Sequence, residues 1–157
     1  MSIEKVREYF KSYNIEYRIL EFSVSSATVE LAAQALNCEP CRIAKTLSFI
    51  VKEKAILIVT AGDAKIDNSK FKAEFSTKAK MLTPDEAIEL IGHAVGGICP
   101  FAVNNSVEIY LDISLKRFNT VFPACGSSNS AIELSIPELE KYSKYIKWIN
   151  VCKAWND

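Results

Sequence analysis

The chain has 157 residues, a length that suits one domain with a single core, expected to span residues 1–157. Hydrophobic residues make up 49%, which excludes a disordered composition. Lys plus Arg and Asp plus Glu balance at 19 each, so no overall field draws in a long polyanion, and binding to duplex DNA is not expected. No apolar stretch reaches the roughly 18 residues of a membrane span, and Met1-Ser2-Ile3-Glu4-Lys5 has no apolar signal core. The cysteines are Cys38, Cys41, Cys99, Cys125 and Cys152. An odd count with no signal segment reads as reduced thiols in a cytoplasmic protein.

The first element is a helix over residues 2–14, with Ile3, Val6, Phe10 and Tyr13 at helical spacing. Tyr17 to Phe22 alternates and predicts a strand. Thr28 caps a helix that runs to Leu36, with Glu30 in its first turn and Asn37 as a left-handed stop. Two strands follow, about 43–51 and 55–61, joined as a hairpin by Lys52-Glu53-Lys54. Asp67 caps a short helix carrying Phe71 and Phe75. Thr83-Pro84-Asp85-Glu86 is a capping-box start for a helix that stops at Gly92. Val107–Leu111 is a strand, with a turn near Ser114–Arg117. Thr120–Cys125 and Ala131–Leu134 read as strands, Ser135-Ile136-Pro137-Glu138 opens a helix, and Ile146–Cys152 is a last strand. Helices interrupt strands without a regular βαβ rhythm. The pattern predicts an α+β domain with a mixed, strongly curved sheet, up to a closed barrel.

Lys45 interrupts the apolar, β-prone run Arg42 to Val51. Such a lysine either snorkels to solvent or aims its ammonium into a cleft, where it would stabilise charge on a carbonyl oxygen or phosphate. Two loops carry glycine: Val95-Gly96-Gly97-Ile98-Cys99-Pro100-Phe101 and Ala124-Cys125-Gly126-Ser127-Ser128-Asn129-Ser130. Each is either a plain turn or a place where bare backbone N–H groups approach a ligand. Cys38-Glu39-Pro40-Cys41 lacks the second ligand pair that zinc needs and the βαβ setting of a redox motif, so it reads as a coincidence in a loop. Cys99 or Cys125 as a nucleophile would need His93, the only histidine, as its base. Lys65, Lys70, Lys72, Lys78 and Lys80 against Asp67 and Glu74 make a basic stretch, either a solvated helix face or a contact for an RNA backbone.

Taken in order, these residues resemble the YbaK/ProX family of aminoacyl-tRNA editing deacylases, which is related to the insertion domain of bacterial prolyl-tRNA synthetases. The similar segments are Thr28 to Leu36, Arg42-Ile43-Ala44-Lys45-Thr46-Leu47, Ala61 to Asp67, Gly92 to Phe101 with its G-x-x-x-P pattern, Leu111 to Leu115, and Ala124-Cys125-Gly126. The resemblance covers nearly the whole chain. It implies a mixed six- to seven-stranded barrel-like sheet flanked by helices. It also implies hydrolysis of the ester that joins a wrong, small amino acid such as Cys, Ala or Ser to tRNA. On that carry-over Lys45 is the catalytic lysine. Gly96, Gly97 and Pro100 form the loop around the substrate carbonyl, with Thr46, Ile98, Cys99, Gly126 and Ser127 as further substrate-binding positions. The implied partners are the aminoacyl-tRNA acceptor end and a prolyl-tRNA synthetase; no cofactor, metal or membrane is implied. The attacking group would be water or a group on the substrate. The alternative is a non-catalytic module that holds a tRNA end beside a synthetase. Cys99 in place of serine before Pro100, Ala124 before the late glycine and Thr28 at a position often aromatic leave the amino acid open.

Overall fold

The computed structural model of the chain describes residues 2–156; Met1 and Asp157, the ends of the expected 1–157 domain, lie outside them. In chain order the elements are α1 (Ser2–Lys11), β1 (Leu20–Glu21), α2 (Val29–Leu36), β2 (Ile43–Val51), β3 (Lys54–Ala61), β4 (Lys65–Ile66), α3 (Asn68–Phe75), α4 (Pro84–Glu86), β5 (Glu108–Asp112), β6 (Thr120–Pro123), β7 (Ser130–Ala131), β8 (Leu134–Ser135), α5 (Ile136–Ser143), β9 (Lys147–Ile149) and β10 (Cys152–Lys153).

The hairpin β2–β3 is the centre of the architecture. Its register runs from Ala44 opposite Ala61 to Val51 opposite Lys54. Lys52 and Glu53 both take positive φ, 50° and 68°, the twist that a two-residue hairpin turn requires. β6 runs parallel to β2, and β5 runs parallel to β3. β9 extends one side parallel to β5, and β8 the other antiparallel to β6. The sheet order is β8-β6-β2-β3-β5-β9. This is the mixed, curled sheet flanked by helices that the sequence predicts. It is a half-barrel, not a closed one: the ladder ends at β8 and β9. Its core holds Leu57, Ile58, Val59, Leu111, Leu115 and Phe101, all fully buried. α1 seals that core with Val6 and Phe10, the Phe10 ring lying 4.8 Å from Phe101. α2 covers the other side of β2, where Ala32 and Ala33 pack on Ile43 and Phe122.

Three predicted strands come out differently. In the stretch 17–22, Glu16–Arg18 is a 3₁₀ turn and only Leu20–Glu21 is extended, pairing with β7 outside the main sheet. Arg18 is drawn onto Glu138 (2.7 Å), which bends the chain away. Ala131–Leu134 divides, since Ser130–Ala131 pairs with β1 and Leu134–Ser135 with β6. Ile146–Cys152 divides because the buried Asp112 carboxylate takes the Val151 N–H at 2.9 Å. Beyond that point Cys152 and Lys153 pair with β4.

The helix starts fare better. Thr28 Oγ1 accepts from Leu31 N, and Asn37 takes φ 54°. Asp67 caps α3. Thr83 and Ser135 both form capping boxes, with Glu86 and Glu138. Past Glu86 the helix widens into a π turn, Ala87–Ile91, in which Gly92 N–H reaches back to Ala87 O. Asn104 then caps the exposed Glu89 and Leu90 carbonyls at 3.0 and 2.9 Å.

Candidate active site

The site begins as a break in strand pairing. Alternate residues of a strand turn their peptide groups to opposite edges. Ser48 O accepts from Leu82 N and Ile50 N donates to Lys80 O, so the even-numbered residues of β2 face away from β3. On that edge β6 pairs only as far as Ala44, and the 80–82 segment starts only at Ser48. Thr46, between them, has no strand neighbour on that edge. Its hydroxyl oxygen is buried with no hydrogen-bond partner. A cleft of about 320 Å³ fills the gap. Its walls are β2 from Ile43 to Ser48, the start of α2, Phe122 and Ala124, Met81 and Leu82, and the loop bearing Gly96 and Ile98.

Lys45 lines this cleft and is its only ionisable side chain among the described residues. It shares a face of β2 with Ile43, two residues back, which is the face α2 covers. That placement leaves it half-buried. Its Nζ donates a long hydrogen bond, 3.4 Å, to Gly62 O. Gly62 has no room for a side chain: a Cβ there would sit 2.0 Å from Pro40 O. The nearby Asp63 is committed to Arg117, with contacts of 2.6 and 2.9 Å, and that guanidinium holds its carboxyl below the usual range. The Lys45 ammonium thus has one weak carbonyl contact and no salt bridge among the described residues. Burial lowers its pKa from the ordinary lysine value; Cys152, Asp63 and Glu30 oppose that shift, and Lys65 adds to it.

The predicted positions fall into two groups. Lys45, Thr46, Gly96 and Ile98 line the cleft. Gly97, Cys99, Pro100, Gly126 and Ser127 do not line it. Gly97 lies flat against the second loop, where a Cβ would meet Ser127 N at 2.6 Å and Gly126 C at 2.7 Å. Gly126, at φ +90°, backs onto Ser2 O at the start of α1. The Ser127 hydroxyl is occupied within its loop, 2.7 Å from Ser130 Oγ and 2.9 Å from Asn129 Oδ1. The two glycine loops meet backbone to backbone, and Gly96 and Ile98 are what this contact presents to the cleft.

Cys99 and His93 do come together, with Sγ and Nε2 at 3.6 Å. Both are fully buried. His93 Nε2 lies 2.7 Å from Phe101 O, a distance that makes it the donor and leaves it no lone pair for a thiol proton. Burial pushes the Cys99 thiol up to about 12. The pair is therefore a structural tie, not an activated nucleophile. All five cysteines are free thiols, and the described residues contain no cluster of His, Cys, Asp and Glu able to hold a metal.

Sequence reasoning missed the apolar half of the cleft: Ala27, Val29, Ala32, Leu47, Met81 and Phe122. Val29 and Ala32 were legible as one face of a helix, but nothing local said that this face looks across at Lys45.

Comparison with known proteins is consistent along the whole chain. The sequence profile described as aminoacyl-tRNA editing domain matches residues 24–142. The chain is 54% identical over 156 residues to the uncharacterized protein YwhH of Bacillus subtilis, across 99% of both. It is 32% identical over 90 residues to the proline–tRNA ligase of Kosmotoga olearia, which is 57% of this chain but 16% of that enzyme. A solved structure described as a candidate trans-editing enzyme for prolyl tRNA synthetase superposes with a TM-score of 0.87 at 25% identity, across 97% of each chain. No helix among the described residues is long and apolar enough to cross a membrane.

Proposed function

The chain belongs to the aminoacyl-tRNA editing domain family, and from that premise we propose that it is a deacylase acting in trans on misacylated tRNA. It would hydrolyse the ester of a small amino acid such as Cys, Ala or Ser on a proline-type tRNA. The observation that carries this reading is the lone ammonium of Lys45 in a cleft otherwise walled by backbone and apolar side chains. A charge kept half-dry, with no carboxylate to neutralise it, is ready for negative charge that develops during reaction.

In this reading water adds to the ester carbonyl carbon. The carbonyl oxygen takes the negative charge, faced by Lys45 and by main-chain N–H groups at the open Thr46 edge and around Gly96 and Ile98. Collapse breaks the bond to the ribose oxygen, which leaves with a proton. Among the described residues no carboxylate, histidine or cysteine lines the cleft beside Thr46, Ser48 or Ser130, and Lys45 acts in its protonated form, so in this reading the attacking group is water or a group on the substrate. Positioning and electrostatics are enough for an activated ester. Alanines and Val29 leave room for a short side chain and crowd a larger one, although exclusion by one methylene is worth only about 1–3 kcal/mol. The proposal places the protein in the cytoplasm. With zero net charge, it would depend on a prolyl-tRNA synthetase for part of its grip on tRNA.

The test is deacylation of a panel of mischarged tRNAs by the purified protein. Wild type is expected to turn over at least one small-residue proline tRNA. Lys45→Met should slow that reaction by about 10²-fold or more with the fold intact. Cys99→Ser should retain it. Binding of the tRNA end without turnover would instead identify a non-catalytic module.

A further inference from the structure

The basic stretch predicted from the sequence is taken apart by the fold, and one part of it gains a partner from the far end of the chain. Lys65 in β4 stands directly opposite Lys153 in β10, so both side chains leave the same face of a two-stranded ribbon. Like charges in this arrangement weaken the pairing. Both lysines are exposed, and neither has an ion-pair partner among the described residues.

Among the described residues, four carboxylates of these segments are engaged elsewhere. Arg117 clamps Asp63. Asp67 spends Oδ1 on the Ser69 and Lys70 amides that begin α3. Asp112 accepts from Ser114 N and Val151 N. Glu74 pairs with Lys147 at 2.8 Å. A third cation, Lys70, donates to Cys152 O at 3.0 Å and Asn150 Oδ1 at 3.3 Å, which holds it over the ribbon. Lys65 follows three residues after Gly62, whose carbonyl oxygen accepts from Lys45 Nζ at 3.4 Å, so the chain leads from the cleft lysine directly into the ribbon. The ribbon therefore extends the single charge of the cleft outward as a short cationic track.

We propose that the β4–β10 ribbon is the track on which the phosphates of the single-stranded 3′ end of tRNA lie, with Lys65 and Lys153 gripping the backbone that leads to the ester at Lys45. This rests on the deacylase reading and adds the path of the RNA. A row of cations ending at the cleft suits a chain of phosphodiesters better than one isolated anion. The repulsion between Lys65 and Lys153 is relieved when an anion lies between them.

Two substrates separate the track from the chemistry: mischarged tRNA, and the same amino acid esterified to adenosine, which carries no phosphate. For the double variant Lys65→Ser, Lys153→Ser, kcat/KM on the tRNA should fall by about tenfold or more, through KM. Its dependence on log[salt] should flatten by roughly 1.4, two contacts at about 0.7 each for a single strand. Hydrolysis of the aminoacyl adenosine should keep its rate. Lys153→Glu, which sets opposite charges across the ribbon, should raise Tm while weakening tRNA recognition. An equal loss on both substrates, or no loss on tRNA, overturns the track. If wild type hydrolyses neither substrate, the deacylase reading has failed. The track is then judged alone, by fluorescence anisotropy of a labelled RNA hairpin ending in CCA. Weaker binding by the double variant upholds it; equal binding, or none by wild type, rejects it.

Discussion

Lys45 stands where its charge is least comfortable. Half-burial lowers its pKa from the ordinary lysine value, which means the folded state binds that proton less tightly than the unfolded chain does. The sign follows. At pH below the folded pKa the cost of burying the ammonium is fully present. It is relieved as pH rises from the folded pKa towards about 10.5, the unfolded value. Function runs the other way, since the protonated form is the one that faces the carbonyl oxygen. Deacylation is therefore expected to decline on the alkaline side below the range of a free lysine, and a rate profile against pH reads this directly. Lys45→Met should lose that alkaline limb together with most of the rate, while its Tm matches or exceeds wild type at neutral pH. A profile unchanged by the substitution would remove Lys45 from the chemistry. The lysine itself was legible in the sequence, as a charge inside an apolar run. Whether it faced solvent or a cleft was not, because period-two alternation names two faces and does not say what covers either one.

At the scale of elements, the two glycine loops matter for where their mutual contact puts backbone. Gly97 touches Gly126 and Ser127 so closely that a methyl group would fall 2.6 Å from Ser127 N. Gly97→Ala should force the loops apart. A cost of about 1–3 kcal/mol is expected for such overpacking, read as a lower Tm. Activity should fall as well, because Gly96 and Ile98 on either side line the cleft. Retained stability with full activity would mean that the loops can separate freely. Both loops were recognisable as loops from composition alone. Their contact was not, since it joins residues about thirty positions apart through main chain, which carries no residue code. The strand errors share that cause. Tyr17–Phe22 alternates as a strand should, yet the long-range pair of Arg18 with Glu138 bends it. Ile146–Cys152 reads as one strand, yet a buried carboxylate on β5 cuts it in two.

Across the whole molecule, a few polar ties hold the periphery to the sheet. The Arg18–Glu138 pair joins the turn after α1 to the capping box of α5, and the guanidinium brings the Glu138 carboxyl down to about 2. A carboxylate with a depressed pKa contributes stability that is present above its unfolded value, about 4.3, and lost as pH falls through about 2. Screening at this partly exposed site limits the contribution to about 1 kcal/mol. Glu138→Gln should lower the denaturation midpoint at pH 7 and flatten its fall between roughly pH 4 and 2. A variant that still tracks wild type through that window would show the pair to be idle.

Helix starts, the central hairpin, the mixed sheet and the family were written locally, in caps, turn residues, apolar periodicity and ordered motifs. Each of these depends on neighbours within a few positions, and such short-range physics survives when the chain is read one stretch at a time. The gap in pairing at Thr46, the commitment of Asp63 to Arg117 and of Glu74 to Lys147, and the pairing of Lys65 with Lys153 exist only once distant segments meet. They are set by which strand runs out of partners and which charge finds its counterion first, and that competition is settled across the molecule as a whole.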